Sequence, residues 1–413
     1  MTEPWALPPD WDWASFGQVA RVASNLVDPA NFSSLPHIAP NHIESETGRL
    51  LPYATVGVDA VTSSKHHFYA GQILYSKIRP YLAKVVIVDF DGLCSADMYP
   101  VETALNTRYL KWWMLTREFT RRAAGEQART VLPKINRSAL GRLPVPVAPP
   151  LAQLQIVEIL EDHLPRLDAA ADYVSAGARR ITSLRRAALD DLFGQSTQRV
   201  RLGEIVDRIE AGRSLGGAAA PARDGEWGII KVSAMTWGSF RGEENKAIPA
   251  DQAEPKYEVR AGDLLVSRAN TSEYVGASVL VGGDVRKQLL LSDKSLRVVP
   301  AAGVEPAWLW RVLQSPAVRS QMSALATGTK DSMRNISQKS LLSLMVPKAS
   351  SAAQREMTRR YSEIDDQARA LETQLTLGSA RTLALRRAVL AAAFSGKLTG
   401  RRTDDEVIEE MAQ

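Results

Sequence analysis

Apolar residues recur along two long segments of the chain at the spacing of a coiled-coil helix. Between residues 156 and 188 the steps from one seam position to the next alternate between four and three residues, which is the heptad pattern of a helix that packs along a partner. The same pattern runs from residue 357 to residue 389. A helix of about 40 residues is about 60 Å long and cannot bury such a stripe alone. The pattern therefore predicts two long helices that pack against each other.

Both predicted helices carry a glycine at the same step of the heptad pattern, Gly177 in the first and Gly378 in the second. A glycine inside a helix costs about 1 kcal/mol relative to alanine. The pair of glycines therefore predicts a close approach of two helix backbones.

The two helices belong to a longer internal repeat. The segments LRRAALDDLFG (184–194) and LRRAVLAAAFSG (385–396) are 201 residues apart, and the pairs Pro146/Pro347 and Gln153/Gln354 share that offset. Upstream, AGQILYSKIRP (70–80) resembles AGDLLVSRANT (261–271) at an offset of 191. Because the offset drifts upstream and is constant through the helices, each half is predicted to be a variable domain followed by an element of fixed length.

The two variable blocks contain short β-branched runs broken by Gly, Pro, Asn and Asp, which predict strands joined by turns. The segments NTRYLKWWMLTREFTRRAA and EPAWLWRVLQSPAVRSQMSAL have helical spacing, so each block is predicted to be mixed α/β (α+β). We interpret the tryptophans of these helices as core residues rather than base-stacking platforms: Trp112, Trp113, Trp308 and Trp310. The predicted boundaries are 1–146 and 197–346 for the domains, 147–196 and 347–400 for the long helices, and 401–413 for a flexible tail.

Composition limits the chemistry that the chain can perform. With 45% hydrophobic and 23% charged residues among 413, the chain has the composition of a folded protein. The single cysteine, Cys94, excludes an internal disulfide, and the five histidines lack metal-ligand spacing. We therefore assign no metal. The net charge of +5 permits a polyanionic partner.

Targeting and catalytic signatures are missing from the sequence. The segment MTEPWALPPDWDWASF lacks the basic and apolar parts of a secretion signal, and no apolar run is long enough to span a membrane. We expect a cytoplasmic protein without membrane contact. A phosphate loop, a dinucleotide fingerprint, a nucleophile elbow and the catalytic tetrapeptide of amino-methyltransferases are also missing. We therefore assign no catalytic residue and expect a binding or assembly protein.

The duplicated arrangement closely resembles the DNA-specificity subunit of Type I restriction-modification systems. The resemblance rests on the order of a variable block, PVAPPLAQLQIVEIL leading to LRRAALDDLFG, a second variable block, and VPKASSAAQREMTRRYSEI leading to LRRAVLAAAFSGKLT. It implies two target-recognition domains separated by two antiparallel coiled-coil helices, with a pseudo-twofold relation between the halves. Each domain would read one half of a bipartite, asymmetric DNA site, and the helices would set the spacing.

The resemblance also implies the partners of the chain. These are double-stranded DNA, two methyltransferase subunits, and restriction and translocation subunits. Catalysis would belong to those subunits, which would bind S-adenosylmethionine and ATP with Mg²⁺, so no cofactor is expected in this chain. The second copy has KASSAAQ where the first has APPLAQ, so the two docking faces need not be equivalent.

Candidate DNA contacts lie in strand ends and loops of both blocks. Direct readout uses Arg or Lys on guanine and Asn or Gln on adenine, and polar loops bind phosphates. The first block offers Ser76, Lys77, Arg79, Lys84, Arg129, Lys134, Asn136 and Arg137, and the second offers Ser267, Arg268, Asn270, Thr271, Lys330, Arg334 and Asn335. Each of these side chains could equally be an ordinary solvated surface group.

Candidate docking residues lie at the ends of the long helices: Arg185, Arg186, Phe193, Arg386, Arg387 and Phe394. The arginines either complement the helix dipole or pair with acids of a docking subunit. Two other functions stay open. One is a duplicated coiled-coil scaffold without DNA binding, and the other is the specificity subunit of a modification-only or phage-defence system that lacks the nuclease.

Overall fold

The structure is a computed structural model that describes residues 3–125, 133–194, 198–216, 220–236, 238–330 and 333–399. The chain divides into two compact units. The first unit comprises Met1–Ala176 with Thr376–Gln413, and the second comprises Gly177–Leu375. Each unit therefore contains one predicted variable domain together with part of each long helix. The predicted tail at 401–413 lies outside the described residues.

The first unit is a mixed α/β domain, as predicted. Its strands are β1 Asp12–Ser15, β2 Ala20–Val22, β3 Leu26–Val27, β4 Pro36–Ile38, β5 Ala54–Thr55, β6 Lys65–Phe68, β7 Ile73–Ser76, β8 Val85–Ile87, β9 Gly92–Cys94, β10 Met98–Thr103 and β11 Pro144–Val147. Its helices are α1 Phe16–Val19, α2 Thr107–Met114, α3 Arg117–Gly125, α4 Arg137–Gly141 and the first part of α5 Pro150–Phe193. The strands form an antiparallel pair β1-β11, an antiparallel sheet β2-β10-β7-β8, and a mixed sheet β3-β6-β9-β4-β5.

The second unit repeats two of these sheets. Its strands are β12 Arg199–Arg201, β13 Val206–Ala211, β14 Gly228–Ile230, β15 Asn245–Ala247, β16 Leu264–Ser267, β17 Ala269–Asn270, β18 Ser278–Leu280, β19 Leu289–Leu290, β20 Ser295–Pro300, β21 Thr327–Lys330, β22 Met333–Asn335 and β23 Met345–Pro347. Its helices are α6 Pro306–Gln314, α7 Pro316–Leu325, α8 Gln338–Leu342 and the first part of α9 Ser351–Phe394.

The sheet order shows how closely the second unit copies the first. The pair β12-β23 corresponds to β1-β11, and the sheet β13-β20-β16-β18 corresponds to β2-β10-β7-β8. The remaining sheets, β15-β14-β19 and β17-β22-β21, belong to the second unit alone among the described residues. The repeat predicted from sequence offsets is therefore a repeat of structure.

The long helices α5 and α9 each contain 44 residues, so the predicted equality of their lengths is confirmed. They run antiparallel within each unit. In the first unit Asp168 of α5 pairs with Arg386 of α9, and Val174 faces Gly378. In the second unit Gly177 of α5 faces Leu375 of α9, and Arg185, further along α5, pairs with Asp365, which lies earlier in α9.

At each of the two seam glycines the nearest atoms of the opposite long helix belong to a side chain. A Cβ atom on Gly177 would lie 3.2 Å from both methyl groups of Leu375, and a Cβ atom on Gly378 would lie 3.8 Å from Cγ2 of Val174. A side chain of the opposite helix therefore covers each glycine. The predicted apolar seam is incomplete, because Leu184 is 49% exposed and Leu371 is 54% exposed. Ion pairs between the helices, described below, hold this stretch instead.

Each variable domain shares its core with the long helices. In the first unit Trp113 packs with Phe394 of α9 at 5.3 Å between ring centroids. In the second unit Phe193 of α5 packs with Tyr361 of α9 at 5.8 Å. The prediction that the tryptophans are core residues is confirmed for Trp112, Trp113 and Trp308, which are buried. Trp310 is half-buried.

Candidate DNA-binding and partner-docking sites

Two of the predicted DNA-binding segments meet on the surface of the first unit. The backbone N–H of Ile135 donates to the carbonyl of Lys77 at 2.9 Å, and the N–H of Arg79 donates to the carbonyl of Pro133 at 2.8 Å. A further β-bridge joins Ile78 to Lys134. The end of β7 and the segment before α4 therefore form one continuous surface, although they are more than 50 residues apart in the sequence.

Three of the predicted cations surround Tyr99 and Asp97 on this surface. The Lys77 ammonium lies 5.3 Å from the centroid of the Tyr99 ring, and the Arg137 guanidinium lies 5.7 Å from it. Lys134 pairs with Asp97 at 3.0 Å. Burial lowers the pKa of Lys77, and the charges of Lys134 and Arg137 lower it further, against the opposing effect of Asp97. Such a concentration of positive charge favours a phosphate oxygen.

Other predicted DNA contacts of the first unit have structural roles. Ser76 is buried and its hydroxyl donates to the carbonyl of Ile78 at 3.0 Å. Asn136 caps α4 by accepting from the N–H of Ala139 at 2.8 Å. The Lys84 ammonium donates to a backbone carbonyl at 2.6 Å. Arg79 is exposed, and Arg129 lies outside the described residues.

The second unit brings its predicted segments together in the same way. The N–H of Ile336 donates to the carbonyl of Arg268 at 2.9 Å, just as Ile135 donates to Lys77 in the first unit. Strand β17 pairs with β22, so Asn270 lies opposite Arg334. The side chains of Arg268, Thr271 and Asn335 are exposed on this small sheet. The sequence offsets of 191 and 201 residues thus correspond to one repeated contact.

The remaining candidates of the second unit are held by the protein itself. Ser267 is fully buried. Asn270 accepts from the N–H of Thr271 at 2.8 Å, and its side-chain nitrogen is buried without a partner. The Arg334 guanidinium donates to the carbonyls of two residues in the segment 326–328, at 2.6 and 3.1 Å. Lys330 ends β21, and its side chain is outside the described part of the structure.

Five of the six predicted docking residues have roles inside the protein. Phe193 and Phe394 are buried in the cores of their units, so neither ring is available to a partner. Arg185 pairs with Asp365 at 2.8 Å and also with Glu372. These acids belong to α9, which means that the arginine joins the two long helices.

The equivalent arginine of the first unit is held differently. Arg386 is buried, pairs with Asp168 at 2.5 Å, and donates to the carbonyls of Glu46 and Thr47 at 3.2 Å. Its neighbour Arg387 contacts both carboxylate oxygens of Glu46 at 3.1 Å. Arg186 is exposed and is the only one of the four arginines without an ion pair within the described residues. The helix dipole therefore does not explain the pattern, because specific carboxylates bind three of the arginines.

The sequence also contained positions whose role only the structure shows. Gln153 accepts from the N–H of Asn106 at 2.9 Å and donates to the carbonyl of Ala148 at 2.8 Å. Its counterpart Gln354 accepts from Glu305 at 2.8 Å and makes the equivalent bond to the segment before its own helix. The shared offset of 201 residues was the signal. These glutamines tie the start of each long helix to the start of a domain helix.

Two other kinds of site are absent from the described ranges. No helix in them is long and apolar enough to cross a membrane. The same ranges contain no group of three or more His, Cys, Asp or Glu side chains placed to hold a metal ion.

Sequence comparison relates the chain to specificity subunits. No family model matches it. It is 42% identical over 231 residues to the Type I restriction enzyme EcoDI specificity subunit of Escherichia coli, a match that covers 53% of this chain and 52% of that protein. It is 31% identical over 193 residues to the EcoEI specificity subunit, covering 44% of this chain and 32% of that one. The matches thus span about half or less of these two relatives.

Structural comparison extends the likeness to nearly the whole chain. A chain from a structural study of complex assembly and conformational transition of the type I R-M system matches with a TM-score of 0.74 at 20% identity, over 96% of this chain and 100% of that one. The HsdS subunit from Thermoanaerobacter tengcongensis matches with a TM-score of 0.51 at 20% identity, over 96% and 99%. At such identity the structures show the fold alone.

Together these findings define the class of the protein. It has a duplicated fold in which two mixed α/β domains alternate with two long helices. Within that class the chain is similar in sequence to the Type I restriction enzyme specificity subunits over about half of its length, which is the resemblance that its repeat predicted.

Proposed function

We propose that the chain is the sequence-specific DNA-recognition subunit of a Type I restriction-modification complex. Each variable domain would read one half of a bipartite, asymmetric site. The observation that carries the proposal is the repeated surface at Lys77 and Arg268, where a cationic residue at the end of a strand is fixed by a bond from a buried isoleucine in both units. Two copies of one recognition surface in one chain suit a site with two halves.

The chemistry of the two surfaces supports distinct half-sites. The first surface presents Lys77 and Arg137 at the ring of Tyr99 and Lys134 beside Asp97, whereas the second presents Arg268 and Asn335 at a small sheet. Ammonium groups suit phosphates, while Arg and Asn suit the edges of guanine and adenine. Each good bidentate pair with a base discriminates by about 1–3 kcal/mol. The halves are therefore expected to differ in sequence.

In this proposal the long helices set the spacing between the half-sites and dock two methyltransferase subunits, with restriction and translocation subunits joining for cleavage. Methyl transfer and cleavage would take place in those subunits, which would bind S-adenosylmethionine and ATP with Mg²⁺. The complex would act in the cytoplasm. The same recognition role would serve a modification-only complex, because the nuclease would be another chain.

The experiment that tests the proposal is the mapping of methylated adenines. The chain is expressed with a Type I methyltransferase subunit in a host without adenine methylation, and the modified positions are identified by sequencing. We expect one motif made of two unrelated halves separated by a fixed number of unspecified bases. A single contiguous motif, or no chain-dependent methylation, would contradict the proposal.

A further inference from the structure

A groove of about 1030 Å³ opens in the second unit where α6 and α7 face the long helices. Five arginines line it, from four different helices, against three carboxylates. The arginines are Arg185, Arg186, Arg311, Arg319 and Arg369. The groove therefore carries an excess of positive charge.

The two carboxylates that α9 contributes to the groove are already engaged. Asp365 accepts from Arg185 at 2.8 Å and from Arg369 at 2.7 Å, with Arg311 3.9 Å away. Glu372 also pairs with Arg185. Arg186, on the next position of α5, is exposed at the groove and lacks an ion pair within the described residues. Its guanidinium is therefore available to a negatively charged group.

The first unit shows what binds at the equivalent arginine. Arg387 lies 201 residues after Arg186, and both carboxylate oxygens of Glu46 lie 3.1 Å from it. The loop that carries Glu46 also offers two backbone carbonyls to Arg386. A second ion pair, from Arg49 to Asp172 at 2.6 Å, fastens the loop to α5. An acidic loop therefore fills this place in the first unit.

The second unit pairs its first arginine, Arg185, in another way, and its second arginine, Arg186, has no ion pair among the described residues. At the positions of Asp365 and Glu372 the first copy has Leu164 and Ala171, so α5 offers no carboxylate there and Arg386 depends partly on the loop. In the second unit α9 supplies both acids, and no carboxylate of the described residues pairs with Arg186 as Glu46 pairs with Arg387. The two units therefore differ at this second arginine: the loop with Glu46 covers Arg387, and no described carboxylate pairs with Arg186.

We infer that the groove of the second unit binds an acidic loop of a partner chain, whose carboxylate pairs with Arg186 as Glu46 pairs with Arg387. The inference rests on the proposed function for the identity of the partner as another subunit of the complex. It does not depend on that function for the chemistry of the groove.

A polypeptide suits the groove better than a DNA phosphate does. In the first unit the arginine pair binds a carboxylate and two peptide carbonyls at once, which is a combination that only a polypeptide offers. In the second unit the Arg311 guanidinium is stacked on Trp310 at 3.8 Å and on Tyr361 at 4.6 Å. Such a fixed, planar donor suits a bidentate acceptor such as a carboxylate or a phosphate, so the preference for a polypeptide comes from the first unit.

The test uses the full chain and a fluorescent peptide with its own sequence 42–50, HIESETGRL. A matched peptide has Gln in place of both glutamates. We expect the acidic peptide to bind more weakly as salt is added, and the Gln peptide to bind at least about tenfold more weakly, which is about 1.4 kcal/mol. Fluorescence anisotropy measures both affinities.

The variants then locate the binding. Arg186→Ala is expected to weaken the acidic peptide about tenfold, whereas Arg180→Ala, which removes an exposed arginine of α5 that does not line the groove, leaves it unchanged. Because Arg186 is exposed, the Tm of the variant should equal that of the parent. Equal affinity for the two peptides, or no effect of Arg186→Ala, overturns the inference.

A competition with duplex DNA decides between peptide and phosphate. The groove is a phosphate site, and the inference is wrong, if two results are obtained together. A short duplex displaces the peptide from the parent chain, and Arg186→Ala weakens binding of the duplex more than binding of the peptide. The outcome is independent of the methylation motif. Peptide binding that requires Arg186 would support the groove inference even if the methylation motif is contiguous. A split motif would support the proposed function even if the peptide does not bind.

Discussion

At the scale of single residues, the internal repeat shows which positions of the two units are equivalent, but equivalent side chains do not always have equivalent hydrogen-bond or ion-pair partners. Gln153 and Gln354 make the same two bonds in the two units, and sequence offset alone paired them. Arg185 and Arg386 are paired just as firmly by offset, yet one contacts acids of α9 and the other a loop. An ion pair depends on which residue the fold brings opposite, and that information lies far away in the sequence.

The candidate DNA contacts show the same limit. The repeat offset of 191 residues predicted that Lys77 and Arg268 lie at equivalent strand ends. In the structure each is bonded through its backbone carbonyl to the other predicted DNA-binding segment of its domain, at Ile135 and Ile336. Ser76 and Ser267, one position earlier, are buried. The sequence did not distinguish the buried serine from the more accessible cation that follows it, because the local pattern of a short strand end does not determine which face is covered.

Lys77→Ala and Arg268→Ala are expected to weaken DNA binding by the complex of the chain with its methyltransferase subunits. If each residue contacts a phosphate, each variant lowers the slope of log affinity against log salt by about 0.9, because one fewer counterion is released. Binding is measured by anisotropy of a labelled duplex between about 50 and 200 mM salt.

The matched control for these variants is Arg21→Ala, which removes a cation of the first domain that is 79% exposed and lies on β2. It should leave both affinity and slope unchanged. Unaltered binding of the Lys77 and Arg268 variants across the salt range would remove these residues from the DNA interface.

At the scale of elements, the heptad pattern predicted both long helices, and the regions 147–196 and 347–400 enclose α5 and α9. What it did not predict is the nature of the contact between them. Leu184 and Leu371 occupy seam positions and are half exposed, while Arg185 and Asp365 pair across the helices. A heptad pattern reports apolar periodicity and contains no information on polar pairs.

Replacing the two seam glycines by alanine should have different effects on stability. Alanine favours a helix over glycine by about 1 kcal/mol. At Gly378 the new Cβ would make an ordinary contact at 3.8 Å, so we expect Gly378→Ala to raise the free energy of unfolding by about 1 kcal/mol. At Gly177 the new Cβ would lie 3.2 Å from Leu375, which has to shift, so the gain should be smaller or absent.

Urea denaturation of the parent and of each alanine variant measures the difference. A third variant, Gly177→Ala with Leu375→Val, removes the close methyl contact and should recover part of the gain. Equal stabilisation by both single substitutions would show that the spacing of the helices at the two glycines is the same.

At the scale of the whole molecule, the sequence predicted a duplicated chain but not how its parts are grouped. The drift of the offset separated variable domains from helices. The compact units instead combine each domain with part of both helices, with one unit made of Met1–Ala176 and Thr376–Gln413. The reason is that Phe394 and Phe193, at the ends of the helices, pack in the core of the domain that their own helix does not follow.

If the long helices set the spacing of the DNA half-sites, shortening both helices together should change that spacing. Val174 faces Gly378, and Gly177 faces Leu375, so segments 173–179 and 374–380 lie opposite each other. They are also related by the offset of 201 residues. Deleting both keeps the flanking pairs in register, including the ion pairs of Arg386 and Arg185.

Seven residues shorten each helix by about 10 Å, which equals about three base pairs at ~3.4 Å each. They also make nearly two turns, so each helix keeps its face to within about 20°. We expect the double deletion to methylate the same half-motifs with a shorter spacer or to lose assembly altogether. Deletion of 173–179 alone should lower the Tm, because the pairs beyond it lose their partners. If mapping of methylated adenines in the double deletion returns the original spacer, then the distance between half-sites is determined by the docked subunits, and the helices only hold the two domains together.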